Sequence, residues 1–406
     1  MSAPSPDRLS DHLDLPLPRF LVAAYGPTLL ASLGFGAVVP MLAIQALALG
    51  ASHAVAAFIA ALVGIGQVVG DLPAGSLAAR FGERRSLAGA CLVDAALLTA
   101  VFFTHHVWVF AILAFAHGLT GSVFGLARQT YLTVAIPAAW RARAMSTLGG
   151  VMRIGYLVGP LVGALILRQH TVAAIFLLAG GTSLCASILT LLMPDTPGTA
   201  STPNTDVSTR SVLIAHRHVL LTIGTGILAL MLVRTARQVF IPLWCAAHGI
   251  SATNTNLIFA LSMAAEVLLF FPGGIITDRL GRWWATVPTM AIIGTCFLAL
   301  PAAGAAWTIA ALSFLLGVGN GISSGIVSTL GADISPDVGR PQFLAGWRVF
   351  GDVGAAVGPL ILSAVTALAS LGASALVVGA IGWLGAVHLA RLLPRRGPLP
   401  QSTPRR

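Results

Sequence analysis

The chain contains no lysine, and all 23 of its basic residues are arginine. A phosphate-cradling loop of the form G-x-x-x-x-G-K-[ST] is therefore excluded, and with it ATP-driven work by this chain. Charge of either sign is scarce: 9% of 406 residues, against 56% hydrophobic ones. So little charge cannot cover an apolar interior with a water-facing surface, which excludes a soluble globular protein and points to a polytopic membrane protein. The net charge of +10 would suggest nucleic acid in a soluble chain. Here the arginines fall between apolar runs, where they read as orientation signals, and no nucleic-acid partner is expected. Cysteine is sparse too. Cys91, Cys185, Cys245 and Cys296 stand singly in apolar runs, without the C-x-x-C spacing of a metal or redox centre, so they read as small core hydrophobes and no metal or cofactor is expected. The one histidine doublet, His105-His106, has no acid nearby, which argues against a membrane-embedded enzyme. Residues 1–18 carry Asp7, Asp11 and Asp14 and lack the basic region of a cleaved signal, so the first apolar run is expected to be retained.

What the chain has in quantity is apolar length. About 30 Å of hydrocarbon needs about 20 helical residues, and twelve runs reach that length: 20–47, 54–79, 86–104, 107–134, 143–167, 171–193, 217–246, 254–277, 284–302, 305–332, 342–368 and 371–393. They are too long and continuous for barrel strands, so the expected fold class is an all-α membrane bundle of 12 transmembrane helices. Alternate loops carry Arg80, Arg84 and Arg85, then Arg141 and Arg143, Arg210 and Arg217, Arg279 and Arg282, and Arg340. The opposite loops offer Arg168 and scattered histidines. Arginine bias places both termini in the cytoplasm. Pro194 to Ser211, rich in Pro, Thr and Ser, reads as a linker. The expected organisation is a cytosolic segment 1–19, a six-helix bundle 20–193, a cytoplasmic linker 194–216, a second bundle 217–393 and a basic tail 394–406.

The two halves repeat one another. Gly274-Ile-Ile-Thr-Asp278-Arg279-Leu-Gly281-Arg282 is echoed by Gly75-Ser-Leu-Ala-Ala-Arg80-Phe-Gly82-Glu-Arg84-Arg85, an offset of 199 positions (274 − 75). The same offset pairs Pro73 with Pro272, Gly118 with Gly317, Gly159 with Gly358 and Pro160 with Pro359. An even number of spans per half gives the repeats the same orientation, as two parallel halves related by an axis along the membrane normal. Six plus six helices, a central cytoplasmic loop, and G-x-x-x-D-R-x-G-R between runs 8 and 9 with its relic between runs 2 and 3 together resemble the major facilitator superfamily, over residues 20–393.

That resemblance implies roles for several residues. The loop motif, Gly274, Asp278, Arg279, Gly281 and Arg282 with its first copy Gly75, Arg80, Gly82 and Arg85, would latch one half against the other when the cavity faces outward, its arginines also meeting anionic headgroups. The first copy departs from the family pattern, with Ala79 where an aspartate is usual. Either that latch is weaker or another acid, such as Asp71, takes the role. The asymmetry would put Asp278 beside Arg153 and Glu266. Gly155-x-x-x-Gly159-Pro160-x-x-Gly163 in run 5 resembles the family's antiporter motif and favours efflux, although Ser146 stands where a further glycine is expected. Its core recurs in run 11 as Gly354, Gly358 and Pro359, so plain helix packing is an equal reading. In run 4, the arginine typical of drug-efflux members is replaced by Ala114.

Charges inside the runs need a partner or a task, since each costs about 2.5–3.5 kcal/mol at the bilayer centre. By depth, Arg153 of run 5 matches Glu266 of run 8, and Asp71 of run 2 matches Arg348 of run 11, with Asp352 the repeat counterpart of Arg153 (352 − 153 = 199). In the superfamily that the chain resembles, helix 2 packs on helix 11 and helix 5 on helix 8, so the resemblance implies inter-bundle pairs that rearrange as the halves rock. Helices 1, 4, 7 and 10 line the cavity in superfamily members, so the resemblance makes Arg234, Arg237 and Gln238 in run 7, His117 in run 4 and Asn320 in run 10 candidates for substrate binding. The plain alternative is that one run 7 arginine neutralises Glu266. His117 could instead relay a proton or hydrogen-bond a neighbour. An Asp94–Arg128 pair is expected to be structural. Proton coupling requires a carboxyl exposed alternately to each side; the candidates are Glu266, Asp352 and Asp71.

The sequence thus favours a bacterial inner-membrane secondary transporter, monomeric, surrounded by lipid and coupled to protons, exporting drugs or other small amphipathic compounds. The rival within transport is uptake of an organic acid or sugar, favoured by Arg234, Arg237 and the missing run 4 arginine. A membrane-embedded enzyme and a transport-inactive sensor are the more remote alternatives.

Overall fold

Hydrocarbon offers no water to a backbone N–H or C=O, so each long apolar run closes its hydrogen bonds along itself as a helix. A computed structural model describes residues 17–136, 138–192, 209–336 and 338–395. Most of the expected N-terminal segment and tail, and residues 194–208 of the expected linker, lie outside the described residues. The helices are α1 Leu17–Ala48, α2 His53–Phe81, α3 Glu83–Phe103, α4 Val107–Ala135, α5 Ala138–Ile166, α6 Ala173–Leu191, α7 Thr209–Ala215, α8 Arg217–Ala247, α9 Ala252–Arg279, α10 Arg282–Ala299, α11 Ala306–Ile322, α12 Ile326–Ile334, α13 Arg340–Leu368 and α14 Leu371–Leu392. Among the described residues twelve spans are long and apolar enough to cross a membrane. The tenth is built from α11 and α12 together, and α7 is too short to be one.

Two local departures from the sequence expectations matter. The tail of the expected linker is helical, because Ser211-Val-Leu-Ile-Ala215 is apolar enough to dock: Val212 is buried against Gly339 and Leu213 lies against Gly346. The tenth run is not continuous. It unwinds at Ser323–Gly325, where Gly325 has φ +82°, a left-handed conformation that glycine adopts without steric cost.

The repeat extends to backbone conformation. Gly82 and Gly281, 199 positions apart, turn the chain between spans with φ +81° and +101°. Ser52 and Ser251, again 199 apart, cap α2 and α9 by accepting the N–H of Val55 and Asn254. The packing repeats as well. α1 lies on α5, α2 on α4 and α3 on α6, and the second half reproduces these as α8 on α13, α9 on α11 and α10 on α14. Gly155 and Gly159 press on α1 at Ser32–Ala37, while Gly354 and Gly358 press on α8 at Leu228–Ala236. Backbones approach there so closely that a Cβ would overlap them, as expected where lipid gives no hydrophobic drive and small residues supply the contact. Proline stands inside both helices, as Pro160 and Pro359. The outward surface is apolar, with Leu192, Phe271, Trp307 and Leu368 exposed, as suits contact with lipid.

The halves meet chiefly through α2 with α13 and α5 with α9. They are joined unevenly along the membrane normal. Towards the ends at 49–52 and 248–251, one apolar core takes residues from both halves, including Leu42, Ile59 and Val63 with Val233, Phe240 and Leu362. There the Ser363 hydroxyl donates to the Ala54 carbonyl across the interface at 2.8 Å, and Gly163 lies against Asn256. At the arginine-rich end the apolar clusters are separate: Leu132, Ile136, Ala144 and Leu148 in the first half, and Ile227, Phe343, Trp347 and Leu389 in the second. Among the described residues, the apolar core shared by both halves lies at the end away from the arginines.

Candidate functional site

The second-half site forms because α8, α9 and the broken tenth span each bring a polar residue to one place in an apolar interior. Arg237, 1% exposed, donates to Glu266 at 3.1 Å and to the Ser262 hydroxyl at 2.8 Å. The Asn320 amide donates to the same carboxylate oxygen at 2.5 Å. Arg234 reaches the unwound segment, donating to the carbonyls of Asn320 and Ser323 at 3.1 Å and to the Ser323 hydroxyl at 2.9 Å. The break supplies acceptors that an intact helix would have used internally. Gln238 is half-buried on α8 beside this network.

The expected Arg153–Glu266 pair is not formed. Arg153 does cross between the halves, but it donates to the Ser324 hydroxyl and to the Gly149 carbonyl, and it lies over the Phe270 ring at 4.1 Å. Glu266 takes Arg237 because the two sit on neighbouring helices of one half, within direct reach. The expectation of a run 7 arginine neutralising Glu266 describes the geometry; depth-matching of Arg153 does not.

On the first-half side a cavity of about 270 Å³ is lined from α1 to α6 and by Arg348, Asp352 and Ala355 of α13. Asp94 and His117 lie in its wall. His117 Nδ1 is 2.5 Å from Asp94 Oδ1, Thr120 donates to the same oxygen at 2.9 Å, and Ser183 donates to Oδ2 at 2.9 Å. The expected Asp94–Arg128 pair is thus corrected. Asp94 is met by donors from α4 and α6, whereas Arg128 lies over the Phe124 ring at 5.2 Å. Phe35 places its ring between His117 and Tyr156, at centroid distances of 6.0 and 5.4 Å. Sequence reasoning found His117 but not its partner. The available signal was an aspartate in an apolar run, misassigned because depth alone cannot say which face of a helix a residue occupies.

At the interface of α2 and α13, Arg348 stands between two carboxylates, 3.8 Å from Asp71 of the first half and 3.3 Å from Asp352 of its own helix. Asp71 also accepts the Ser122 hydroxyl at 2.5 Å. This grouping was expected. The loop motif is placed differently from expectation. Asp278 is 77% exposed, 3.5 Å from Arg282, and Arg282 bonds Asp333 at 2.7 Å and the Thr277 carbonyl at 2.7 Å, all within the second half. Asp278 is not beside Arg153 and Glu266, because it lies 12 residues beyond Glu266 on α9 (278 − 266), about 18 Å along the helix axis. Arg279 and Arg85 are exposed, and Arg80 lies over Phe81 at 5.5 Å. Of the cysteines, Cys91, Cys245 and Cys296 are buried as expected, while Cys185 is exposed.

Two six-helix halves around such a cavity match a known family. The Major Facilitator Superfamily model fits residues 28–244 and again 223–406. The chain belongs to the Major Facilitator Superfamily. It is accordingly a multi-pass membrane carrier of small molecules, not an enzyme. Among curated relatives, it is 25% identical over 336 residues to "Multidrug resistance protein MdtG" of Serratia proteamaculans, covering 79% of this chain and 80% of that one. It is 22% identical over 320 residues to "Multi-drug resistance efflux pump PmrA homolog" of Lactococcus lactis, covering 76% and 79%. Among solved structures, a D-xylose–proton symporter superposes with TM-score 0.72 at 16% identity, covering 96% of this chain and 99% of that one. A bacterial homologue of the human lysosomal transporter Spinster, inward-facing, superposes with TM-score 0.76 at 11% identity, covering 93% and 97%. At these identities the solved structures bear on the fold alone.

Proposed function

We propose that this superfamily member sits in a bacterial inner membrane with both termini cytoplasmic and exports small amphipathic compounds, drugs among them, in exchange for protons. The observation that carries the reading is the apolar core that, among the described residues, joins the halves at one end. The other end is the arginine-rich one, which the positive-inside rule makes cytoplasmic, so on this reading the cavity loads from the cell interior. Its lining sets Phe35, Phe124 and Tyr156 beside Asp71, Asp94 and Asp352, with Arg128 and Arg348 also present; the acids outnumber the arginines, which favours a compound with apolar rings and positive charge over an anion. The names of the MdtG and PmrA relatives support the efflux direction.

Residues 20–193 and 217–393 are then the two rocking bodies of a monomer in lipid, tethered through 194–216. Arg348 exchanges its carboxylates as α2 and α13 slide, and Asp278 engages the opposite half only when the cytoplasmic end closes. The rival, uptake of an organic acid or sugar, is favoured by Arg234 and Arg237 and by Ala114 in place of the run 4 arginine; both arginines are bonded within the protein, which weakens that support.

The test is accumulation of a panel of cationic, neutral and anionic compounds in cells with and without the protein, each with and without a proton gradient. Exclusion that collapses with the gradient is expected. Uptake in place of exclusion overturns the direction, and indifference to the gradient overturns the coupling.

A further inference from the structure

A proton carrier in a buried site needs a group that can be charged or neutral without leaving a fixed counter-charge stranded. The acids differ sharply by this measure. Glu266 is tied to Arg237 and Asn320, with Arg234 and Arg153 close by. An arginine cannot give up its proton in return, so neutralising Glu266 would strand a buried cation. Asp71 and Asp352 share Arg348, so one of them can be neutralised without stranding it, but the three side chains are 33%, 37% and 53% exposed and the guanidinium keeps its own proton. Of the acids in these three groups, Asp94 is the one paired with a base that can itself release a proton.

We propose that Asp94 and His117 together are the proton-binding site of the carrier. This rests on the proton-coupled reading above and assigns it to residues of the first half. Asp94 comes from α3, its hydroxyl donor Ser183 from α6, and His117 and Thr120 from α4. Hydroxyls can turn to serve either a carboxylate or a carboxylic acid, so the cradle suits both states. With one proton between Nδ1 and Oδ1 the pair carries a single negative charge. A second proton makes it neutral overall: as it binds His117 Nε2, the shared proton passes to Oδ1 of Asp94, leaving carboxylic acid plus imidazole, with only N–H and O–H bonds made or broken. The atom open to that second proton is His117 Nε2, which is buried and has no hydrogen-bond partner. Both side chains line the cavity that also holds Phe35 and Tyr156, so a cationic ligand entering there and the second proton compete for one negative charge, which is the requirement for exchange. The titratable and charged groups facing the pair are Cys91 on α3, Arg128 on α4, Tyr156 on α5, Asp71 on α2, and Arg348 and Asp352 on α13. α1 contributes Ser32 and Phe35, and α6 contributes Ser183, none of them charged.

The experiment uses the purified full chain in lipid, with infrared difference spectra recorded across pH and, on the same preparation in proteoliposomes, ethidium transport driven by a pH gradient. A protonated-carboxyl band that titrates is expected in the wild type. Asp94→Asn should abolish it, His117→Gln should move its midpoint by about one pH unit, and Glu266→Gln should leave it in place. Asp94→Asn should also lose gradient-driven ethidium movement, and its residual ethidium binding should be weaker and no longer depend on pH. A band that persists unchanged in Asp94→Asn overturns the assignment. Should that variant not survive extraction, an unmoved midpoint in His117→Gln does the same. Wild-type ethidium movement indifferent to the gradient overturns the proton-coupled reading itself, a result separable from retention of gradient drive in Asp94→Asn, which overturns only the site.

Discussion

Glu266 is surrounded by more arginine than it can pair with, and the choice among them is a matter of reach. Arg237 and Glu266 are the couple, with side chains 2% and 16% exposed. Removing one member of a buried pair strands the other, at a cost of about 3–5 kcal/mol. Arg237→Met is therefore expected to lower thermal stability in detergent sharply, and the double variant Arg237→Met/Glu266→Gln to recover much of the loss. A double-mutant cycle should return a coupling of about 1–3 kcal/mol for this pair and a clearly smaller one for Arg153 with Glu266. Equal couplings would return Arg153 to the role that depth-matching suggested. The arginine triad around one acid was half legible. Charges in apolar runs announce themselves, but their partners depend on helix rotation, and the nearest candidate by depth was wrong both here and at Asp94.

Among the helices, the tenth span departs most from its sequence reading. Its apolar run looked continuous, yet Gly321-Ile-Ser-Ser-Gly325 lets it open, and α11 and α12 present Asn320 and Ser323 to Arg234 and Ser324 to Arg153. Gly and Ser together are a known cause of helix breaks, so the signal was present but carried no address. Gly325→Ala imposes a left-handed conformation on a residue with a Cβ, which costs about 1–2 kcal/mol. A matching fall in unfolding temperature is expected, and an unchanged one would mean that the span can straighten without penalty. The Gly/Pro motif of α5 is the contrary case. Its spacing was read correctly, and its duplication in α13 had already made packing as good an explanation as transport. The structure shows Gly155 and Gly159 serving α1 as Gly354 and Gly358 serve α8.

At the scale of the whole molecule, the halves share an apolar core at one end, and the proposed alternating access requires that end to open. Ala54 and Ser363 meet across the closed end. With the four native cysteines replaced, Ala54→Cys/Ser363→Cys is expected to form a disulfide in membranes and to stop transport, with activity returning on reduction. Full transport with the bridge intact would mean that this end never opens.

Apolar length, the 199-residue repeat and the arginine bias are properties of the chain read in one dimension. They determined twelve helices, two like-oriented halves and the family, because lipid leaves a long apolar segment no alternative to a helix. Which charge meets which was decided only by tertiary structure. Rotation of a helix about its axis moves a side chain from one neighbour to another without changing its depth. That is why Asp94 meets His117 and Glu266 meets Arg237.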